Sequence, residues 1–189
     1  MNDLPPEGSG ISLERTGSAR LLTIPYGGGN ALRYFIGLFV IFWLGGWVVG
    51  FKHAVSEILS GGTDQFLYFW LVGWTIGGIF ALYFAYRAFR PAVSETIRLG
   101  TDSVFYDSGI PPFRIHFVFT NEKEMWRSIF PKRIKREIRR NELKSLKLRE
   151  TDAGNRLTVD SGVERIEIAA EASEIEREWL HDYLSRNYS

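Results

Sequence analysis

The chain has 189 residues, with 23 Lys and Arg against 22 Asp and Glu and a formal net charge of +1. It has no cysteine, which excludes disulfides, zinc–thiolate sites, iron–sulfur clusters and thiol nucleophiles. The mean hydropathy of −0.09 is typical of a soluble protein, but the apolar residues are concentrated in two segments. Residues 34–51 and 66–86 contain no charged side chain and hold 16 of the 28 aromatic residues. The remaining residues, about 150, are enough for one small domain.

The segment before the first apolar stretch, residues 1–30, is polar and rich in Pro and Gly. It has no apolar core of the kind that a signal peptide needs, so we expect the first apolar stretch to stay in the mature protein as an anchor. Residues 11–15 and 20–25 are predicted to form two short strands. Residues 27–30 read GGGN and lack the Lys-Ser/Thr of a phosphate-binding loop, so we interpret them as a flexible lead into the first helix.

The two apolar stretches are long enough to cross a bilayer, which takes roughly 17–25 helical residues. We predict helices over residues 32–51 and 66–88, joined by the polar loop 52–65 into a transmembrane hairpin that occupies residues 31–90. Arginines lie outside both ends of the hairpin, whereas the loop has one Lys and no Arg. The positive-inside rule then places both termini in the cytoplasm. Neither span contains an ionisable residue that would serve as a proton relay, ion path or haem ligand.

The spans contain an internal repeat. Residues 42–50 read FWLGGWVVG and residues 69–77 read FWLVGWTIG, with six of nine positions identical. Each copy has two Trp one helical turn apart and a G-x-x-x-G step, which allows close approach of helices. We predict that the tryptophans of one helix cover the glycines of the other; the alternative is that the groove receives a third helix, a lipid or a pigment. The predicted helix-packing residues are Trp43, Gly46, Trp47, Gly50, Trp70, Gly73, Trp74 and Gly77.

After the hairpin, residues 91–189 are predicted to form a cytoplasmic β-rich domain, because apolar and polar residues alternate in several short stretches. The predicted strands are 96–99, 104–106, 114–120, 133–138, 143–149, 156–160 and 164–169. The first two and the last two form hairpins around tight turns. Parts of residues 133–149 also fit one face of a helix, and residues 121–130 are either a loop or a short helix.

The chain closes with a helix over residues 173–187, which begins at the capping box formed by Ser173 and Glu176. Its apolar stripe consists of Ile175, Trp179, Leu180, Tyr183 and Leu184. These elements predict an α+β membrane protein, in which a two-helix transmembrane hairpin precedes a small antiparallel β-roll of the pleckstrin-homology-like (PH-like) type with a C-terminal amphipathic helix. This architecture alone fixes no function.

Two tryptophan–glycine patterns occupy matching positions in the spans. Their residues are Trp43, Gly45, Gly46, Trp47, Gly73, Trp74, Gly77 and Gly78. They resemble a widespread bacterial family of uncharacterised two-helix membrane proteins, and the later domain is similar to bacterial membrane-tethered PH-like domains. The resemblance implies a location in the bacterial cytoplasmic (inner) membrane and brings no known activity. A more distant analogy exists with photosystem assembly factors, which share the order of two helices followed by a β-rich domain.

The most charged stretch is residues 127–149, with ten Lys or Arg against two Glu. Anionic headgroups of the inner leaflet would attract such a cluster, as would an acidic protein partner. Nucleic acid is not expected, since no stacking aromatics or base-reading helix accompany the charges. The remaining interpretation is a solvated face. The predicted lipid or partner contacts are Arg127, Lys132, Arg133, Lys135, Arg136, Arg139 and Arg140.

The sequence offers no catalytic constellation. His53, His116 and His181 are far apart and lack ligand spacing, so we predict no metal site and no cofactor. We predict a non-enzymatic accessory or scaffold subunit of a larger bacterial membrane complex, photosynthetic or respiratory, with other integral membrane proteins as partners. The alternative is a membrane-tethered lipid- or peptide-binding module that acts in assembly or regulation.

Overall fold

The computed structural model of the chain describes residues 4–16, 19–27, 31–61, 65–113, 126, 129–151 and 154–188. The chain divides into two compact units. The helical unit comprises residues 29–91 and 113–130. The β unit comprises residues 1–28, 92–112 and 131–189.

The helical unit is built on α1 (Leu32–Leu59) and α2 (Gln65–Phe89). Both helices are long and apolar enough to span a membrane, with lengths of about 42 and 38 Å. Their large apolar side chains point outward to an unusual degree, and Phe42 is 83% exposed. The prediction of two long apolar helices in antiparallel contact is confirmed.

The first helix is eight residues longer than predicted. Residues 52–59 read KHAVSEIL, which contains no Gly or Pro to stop a helix, so α1 continues to Leu59. His53 accordingly lies in α1 and not in the loop. The helix ends where Gly61 adopts φ +92°, a conformation that glycine accepts without steric cost.

Among the described residues, the β unit has two antiparallel sheets. The five-stranded sheet has the order β1-β2-β3-β4-β5, with β1 (Ser12–Thr16), β2 (Ala19–Ile24), β3 (Glu95–Leu99), β4 (Ser103–Asp107) and β5 (Lys135–Arg139). The three-stranded sheet has the order β6-β7-β8, with β6 (Lys147–Thr151), β7 (Gly154–Ser161) and β8 (Glu164–Ile168). Two helices complete the unit, α3 (Arg140–Leu143) and α4 (Glu174–Tyr188). The two predicted hairpins correspond to β3–β4 and β7–β8 and are confirmed.

One hydrophobic core serves both sheets and α4. It forms because every second residue of a strand points to the same face, so that Ile97, Val104 and Leu157 are all inward and fully buried. From α4, Leu180 and Tyr183 complete it. Burial of such side chains is the main stabilising contribution to a domain of this size.

Two predictions for the β unit require correction. The strand predicted at 143–149 begins only at Lys147, because the preceding residues form the single turn α3. The Glu142 carboxylate stabilises this turn by accepting the Arg139 N–H at 2.9 Å. Ile175 is 67% exposed and does not belong to the core, since the buried face of α4 begins only after its first turn.

The predicted capping box at the start of α4 is confirmed. The Ser173 N–H donates to the Glu176 carboxylate at 2.7 Å, and the Glu176 N–H donates to the Ser173 hydroxyl at 3.3 Å. Residues 114–120, predicted as a strand, lie outside the described residues, as do 121–125 and His116. The observed fold is thus α+β, with two long apolar helices and antiparallel sheets.

Candidate functional site

Two equivalent tryptophans of the repeat join α1 to α2. The Trp47 Nε1–H donates to the carbonyl oxygen of Trp74 at 2.9 Å, and the Trp74 Nε1–H donates to the carbonyl oxygen of Trp47 at 3.4 Å. An indole N–H needs an acceptor when its ring is surrounded by apolar groups, and here the neighbouring helix supplies it. The two copies of the repeat therefore exchange equivalent hydrogen bonds.

Glycines on the facing helix make room for these aromatic rings. A Cβ added at Gly50 would lie 3.6 Å from the Trp74 ring, and one added at Gly78 would overlap the Trp47 ring. Near the other end of the pair, a Cβ at Gly37 would lie 2.7 Å from the Phe89 ring. The contact between the helices is thus made where an aromatic side chain lies directly on glycine backbone.

Three of the glycines predicted at this contact are not there. A Cβ at Gly46, Gly73 or Gly77 would have no atom of the described residues within 4 Å, so the prediction is wrong for these three glycines. The reason is rotational: successive residues of a helix differ by about 100° around its axis. Because Gly78 faces α1, its neighbour Gly77 and the residue one turn before it, Gly73, face a different direction.

Gly73 and Gly77 instead form the floor of a groove of about 330 Å³. We call it the Trp–Gly groove; its remaining lining residues are Trp43, Phe66, Phe69, Trp70 and Trp74. The Trp70 and Trp74 rings stack with their centroids 4.5 Å apart, and Trp43 lies 6.0 Å from Trp74. No titratable side chain lines the groove, so it suits an apolar occupant and offers no chemistry for catalysis.

Of the eight residues predicted for helix packing, the structure brings together Trp47, Gly50 and Trp74 at the contact between α1 and α2. Trp43 also contacts Trp74 across the helix pair, and it lines the Trp–Gly groove as well. Trp70, Gly73 and Gly77 line the groove instead, and Gly46 lies in open space. Sequence reasoning missed Gly37 and Gly78. Gly78 adjoins the repeat, but the repeat pattern gives no indication that it and not Gly77 faces α1.

The predicted basic segment is largely paired with carboxylates. Arg133 donates to both carboxylate oxygens of Asp107, at 2.7 and 2.6 Å, and Lys135 lies 3.6 Å from the same group. Arg136 lies 2.9 Å from Glu164. Hydrogen bonding from Arg133 holds the pKa of the Asp107 carboxyl below its usual value. The sequence does not reveal these pairs, because their members are more than 20 positions apart.

The other four residues of the basic segment are placed differently. Lys132 and Arg139 are exposed, and Arg140 donates to the Tyr188 carbonyl oxygen at 3.3 Å. Arg127 lies outside the described residues. The segment is therefore a mixture of ion pairs and exposed cations and does not form an uninterrupted positive surface.

A polar cleft lies between β5 and β8, and each is the last strand of its sheet in the part of the chain that the structure describes. We call it the edge cleft; its volume is about 530 Å³. Its lining residues are Lys132, Arg133, Ile134, Lys135, Arg136, Glu164, Arg165 and Ile166. The lining has five cations and one carboxylate. Arg133, Lys135, Arg136 and Arg165 pair with carboxylates, so Lys132 is the lining cation that, among the described residues, remains for an anionic occupant.

A buried carboxyl group in the β unit was not predicted. Glu95 is 2% exposed, and its carboxylate accepts the Ala169 N–H at 2.8 Å. The Tyr106 hydroxyl hydrogen-bonds with Glu95 and donates to the Glu167 carbonyl oxygen at 3.1 Å. Burial raises the pKa of Glu95 to about 7. The Glu95 carboxyl thus links β3 by a hydrogen bond to Ala169, a residue with the unusual φ of +54°.

The sequence did contain a signal for this group. Residues 95–99 read ETIRL, so strand alternation places Glu95 on the same face as the core residues Ile97 and Leu99. A charged residue at such a position is a candidate buried group with a shifted pKa.

Among the described residues, no group of three His, Asp or Glu could hold a metal ion. His181 contacts the adjacent Asp182 at 3.2 Å, and His53 lies on α1 far along the chain from it. No family model, curated protein or solved structure matches this chain. Its function is therefore inferred from the geometry of the chain itself.

Proposed function

We propose that this protein is a non-enzymatic accessory or scaffold subunit of a larger bacterial membrane complex. In this proposal α1 and α2 cross the cytoplasmic membrane, and a transmembrane helix of a partner protein occupies the Trp–Gly groove. The observation that carries the proposal is the open glycine floor formed by Gly73 and Gly77. Helices associate in lipid by close packing at small residues, because burial of apolar surface gives little gain there.

The internal contact of the helix pair strengthens this argument. Gly37, Gly50 and Gly78 already accommodate the aromatic rings that join α1 to α2. Gly73 and Gly77 contribute nothing to that contact, although each costs helix stability relative to alanine. A partner helix that approaches these glycines closely would account for them, and the stacked indoles beside the floor would form the side of its binding site.

The proposed orientation follows from the flanking arginines, with both termini in the cytoplasm and the α1–α2 connection outside. We also propose that the β unit is a PH-like roll. Two antiparallel sheets with a common core, closed by a C-terminal helix, support this assignment. The β unit would then be available on the cytoplasmic side for a second contact with the complex.

The proposal is tested by purifying the tagged full chain from its native membrane in mild detergent. A partner membrane protein should co-purify in fixed stoichiometry, as measured by mass spectrometry. Gly73→Leu and Gly77→Leu should each abolish co-purification of the partner, because the leucine side chain fills the Trp–Gly groove. Gly45→Leu is the matched control, since its Cβ also enters open space but Gly45 does not line the groove. Unchanged recovery of the partner by Gly73→Leu and Gly77→Leu contradicts the proposal.

A second candidate function, that of a peptide-binding module, is favoured by the edge cleft. The Ile134 N–H donates to the Ser108 hydroxyl, and the Ile134 carbonyl oxygen accepts the Ser108 N–H, at 2.8 Å each. Since successive peptide groups of a strand alternate in direction, the main-chain groups of Lys135 and Glu137 face away from β4. An extended acidic segment could pair with this edge and meet the cations of the cleft.

This candidate is tested with a labelled peptide of alternating Glu and Val, whose binding to the full chain is followed by fluorescence anisotropy. Glu137→Pro should abolish binding, because it removes an outward N–H without removing a main-chain hydrogen bond to β4. Glu137→Ala is the control, since it also loses the hydrogen bond from the Ser103 hydroxyl but keeps the N–H. Lys132→Gln should weaken binding mainly at low salt. Peptide binding that is insensitive to Glu137→Pro, or complete competition by anionic vesicles, argues against the peptide interpretation.

A further inference from the structure

The first turn of α1 and the last turn of α2 each hold a buried arginine. Arg33 is 7% exposed and Arg87 is 1% exposed. The two residues lie at the same end of the helix pair, since a Cβ at Gly37, one turn after Arg33, would lie 3.0 Å from the Cβ of Ala88. They are close enough for their positive charges to act on each other.

The Arg33 guanidinium is only partly satisfied by the protein. One terminal nitrogen donates to the Tyr34 hydroxyl at 2.6 Å, and the guanidinium carbon lies 4.5 Å from the centroid of the Tyr34 ring. Its Nε and its other terminal nitrogen are buried, and neither has a hydrogen-bond acceptor among the residues that the structure describes. A buried cation with unused donors is strongly unfavourable unless an anion completes it.

The surroundings add to the positive potential. No acidic residue lies in the first turn of α1, where the helix dipole already contributes a partial positive charge. Arg87 brings a second cation, and Arg90 follows one turn later with its guanidinium 5.6 Å from the Tyr86 ring. Three cations at one end of the helix pair favour an anionic ligand over a zwitterionic one.

We propose that Arg33 and Arg87 bind the phosphate of an anionic phospholipid headgroup. This inference rests on the proposed membrane insertion, because Arg33 directly precedes the first charge-free span and Arg87 directly follows the second. Both arginines would then lie where the hydrocarbon core ends and lipid phosphates begin. The unused donors of Arg33 bind phosphate oxygens by charge-assisted hydrogen bonds. The proposed lipid site therefore lies at the end of the helix pair that holds Arg33 and Arg87.

The test uses the full chain in neutral detergent, with thermal unfolding followed by tryptophan fluorescence. Phosphatidylglycerol should raise the Tm of the wild-type protein by several degrees, since a ligand that binds only the folded state stabilises it. Phosphatidylcholine and inorganic phosphate should not. Arg33→Gln should abolish the shift, whereas Arg98→Gln, at an exposed position on β3, should retain it.

A second readout separates a lipid site from a merely structural arginine. Without lipid, Arg33→Gln should unfold at a temperature equal to or above that of the wild type, because it removes a buried cation that lacks acceptors. If Arg33→Gln fails to fold, Arg33→Lys serves instead and should give a reduced shift, since it keeps the charge but loses donors.

Three results overturn the inference: no stabilisation by phosphatidylglycerol, an unchanged shift in Arg33→Gln, or an equal shift with inorganic phosphate, which identifies a soluble anion as the ligand. Alkaline extraction of membranes reports insertion separately. If the protein stays in the membrane but phosphatidylglycerol does not raise its Tm, only the lipid site is disproved. If alkaline extraction releases the protein, the proposed membrane insertion is disproved. Loss of the partner with the lipid shift intact disproves only the subunit proposal.

Discussion

The helical unit and the β unit place their apolar side chains in opposite ways. In the β unit, aliphatic residues such as Ile97 and Leu157 are fully buried, and charged residues form pairs on the outside. In the helical unit, many large aromatic residues point outward, while glycines, two tryptophans and Phe89 contribute to the internal contact. The β unit is thus stabilised by removal of apolar surface from water. The helical unit depends on close fit and on two indole hydrogen bonds, which suits surroundings that are themselves apolar.

The largest expected effect contrasts a buried and an exposed apolar residue. Ile97→Ala should lower the free energy of unfolding of the β unit by about 2–5 kcal/mol, because it leaves a cavity in the common core. The measurement is urea denaturation of the full chain in detergent, followed by far-UV circular dichroism. Phe42→Ala, at an exposed position of α1, should leave the Tm of the helical unit unchanged in detergent. An equally large loss from Phe42→Ala would remove the contrast between the two units.

The next effect concerns the buried carboxyl of the β unit. The pKa of Glu95 is raised from 4.5 to about 7, so the folded protein holds a proton that the unfolded chain releases as the pH rises from 4.5. The free energy of unfolding therefore falls by at most about 3 kcal/mol as the pH rises from 4.5 to 7, and it levels off above pH 7. Glu95→Gln should abolish this dependence. Urea denaturation of both proteins between pH 5 and 8 measures it, and parallel curves would contradict the assignment.

The third effect lies within the helical unit and compares two adjacent glycines. Gly78→Leu should destabilise the helix pair by about 1–3 kcal/mol, because the side chain collides with the Trp47 ring. Gly77→Leu is the matched control and should leave stability unchanged, since its side chain enters the open groove. Thermal unfolding in detergent compares the two variants. Equal destabilisation would mean that both glycines face α1.

The smallest expected effect separates the two indole hydrogen bonds. Trp47→Phe should cost about 0.6 kcal/mol beyond the loss of ring packing, the typical value of a hydrogen bond between membrane helices. Trp74→Phe should lose a smaller hydrogen-bond contribution. The Trp74 Nε1 lies 3.4 Å from its acceptor oxygen, whereas the Trp47 Nε1 lies 2.9 Å from its own acceptor. Double-mutant cycles with Gly50→Ala and Gly78→Ala separate the ring packing from the hydrogen bond.

Local patterns in the sequence determined the elements of this protein. Two charge-free stretches specified the apolar helices, period-two alternation specified the hairpins, and Ser173 with Glu176 specified the start of α4. These features depend on residues within one or two turns of each other, and a single sequence displays such relations directly. The eight extra residues of α1 show the limit, because the end of a helix depends on weak local preferences.

The tertiary structure alone decided which residues act together. The orientation of α2 about its own axis places Gly78 against α1 and leaves Gly73 and Gly77 open, although Gly77 and Gly78 are adjacent in the chain. Folding of the β unit brought Asp107 and Glu164 to the basic segment. Each outcome depends on the packing of elements that are distant in the chain, and the repeat, the charge count and the alternation of residues carry no information about that packing.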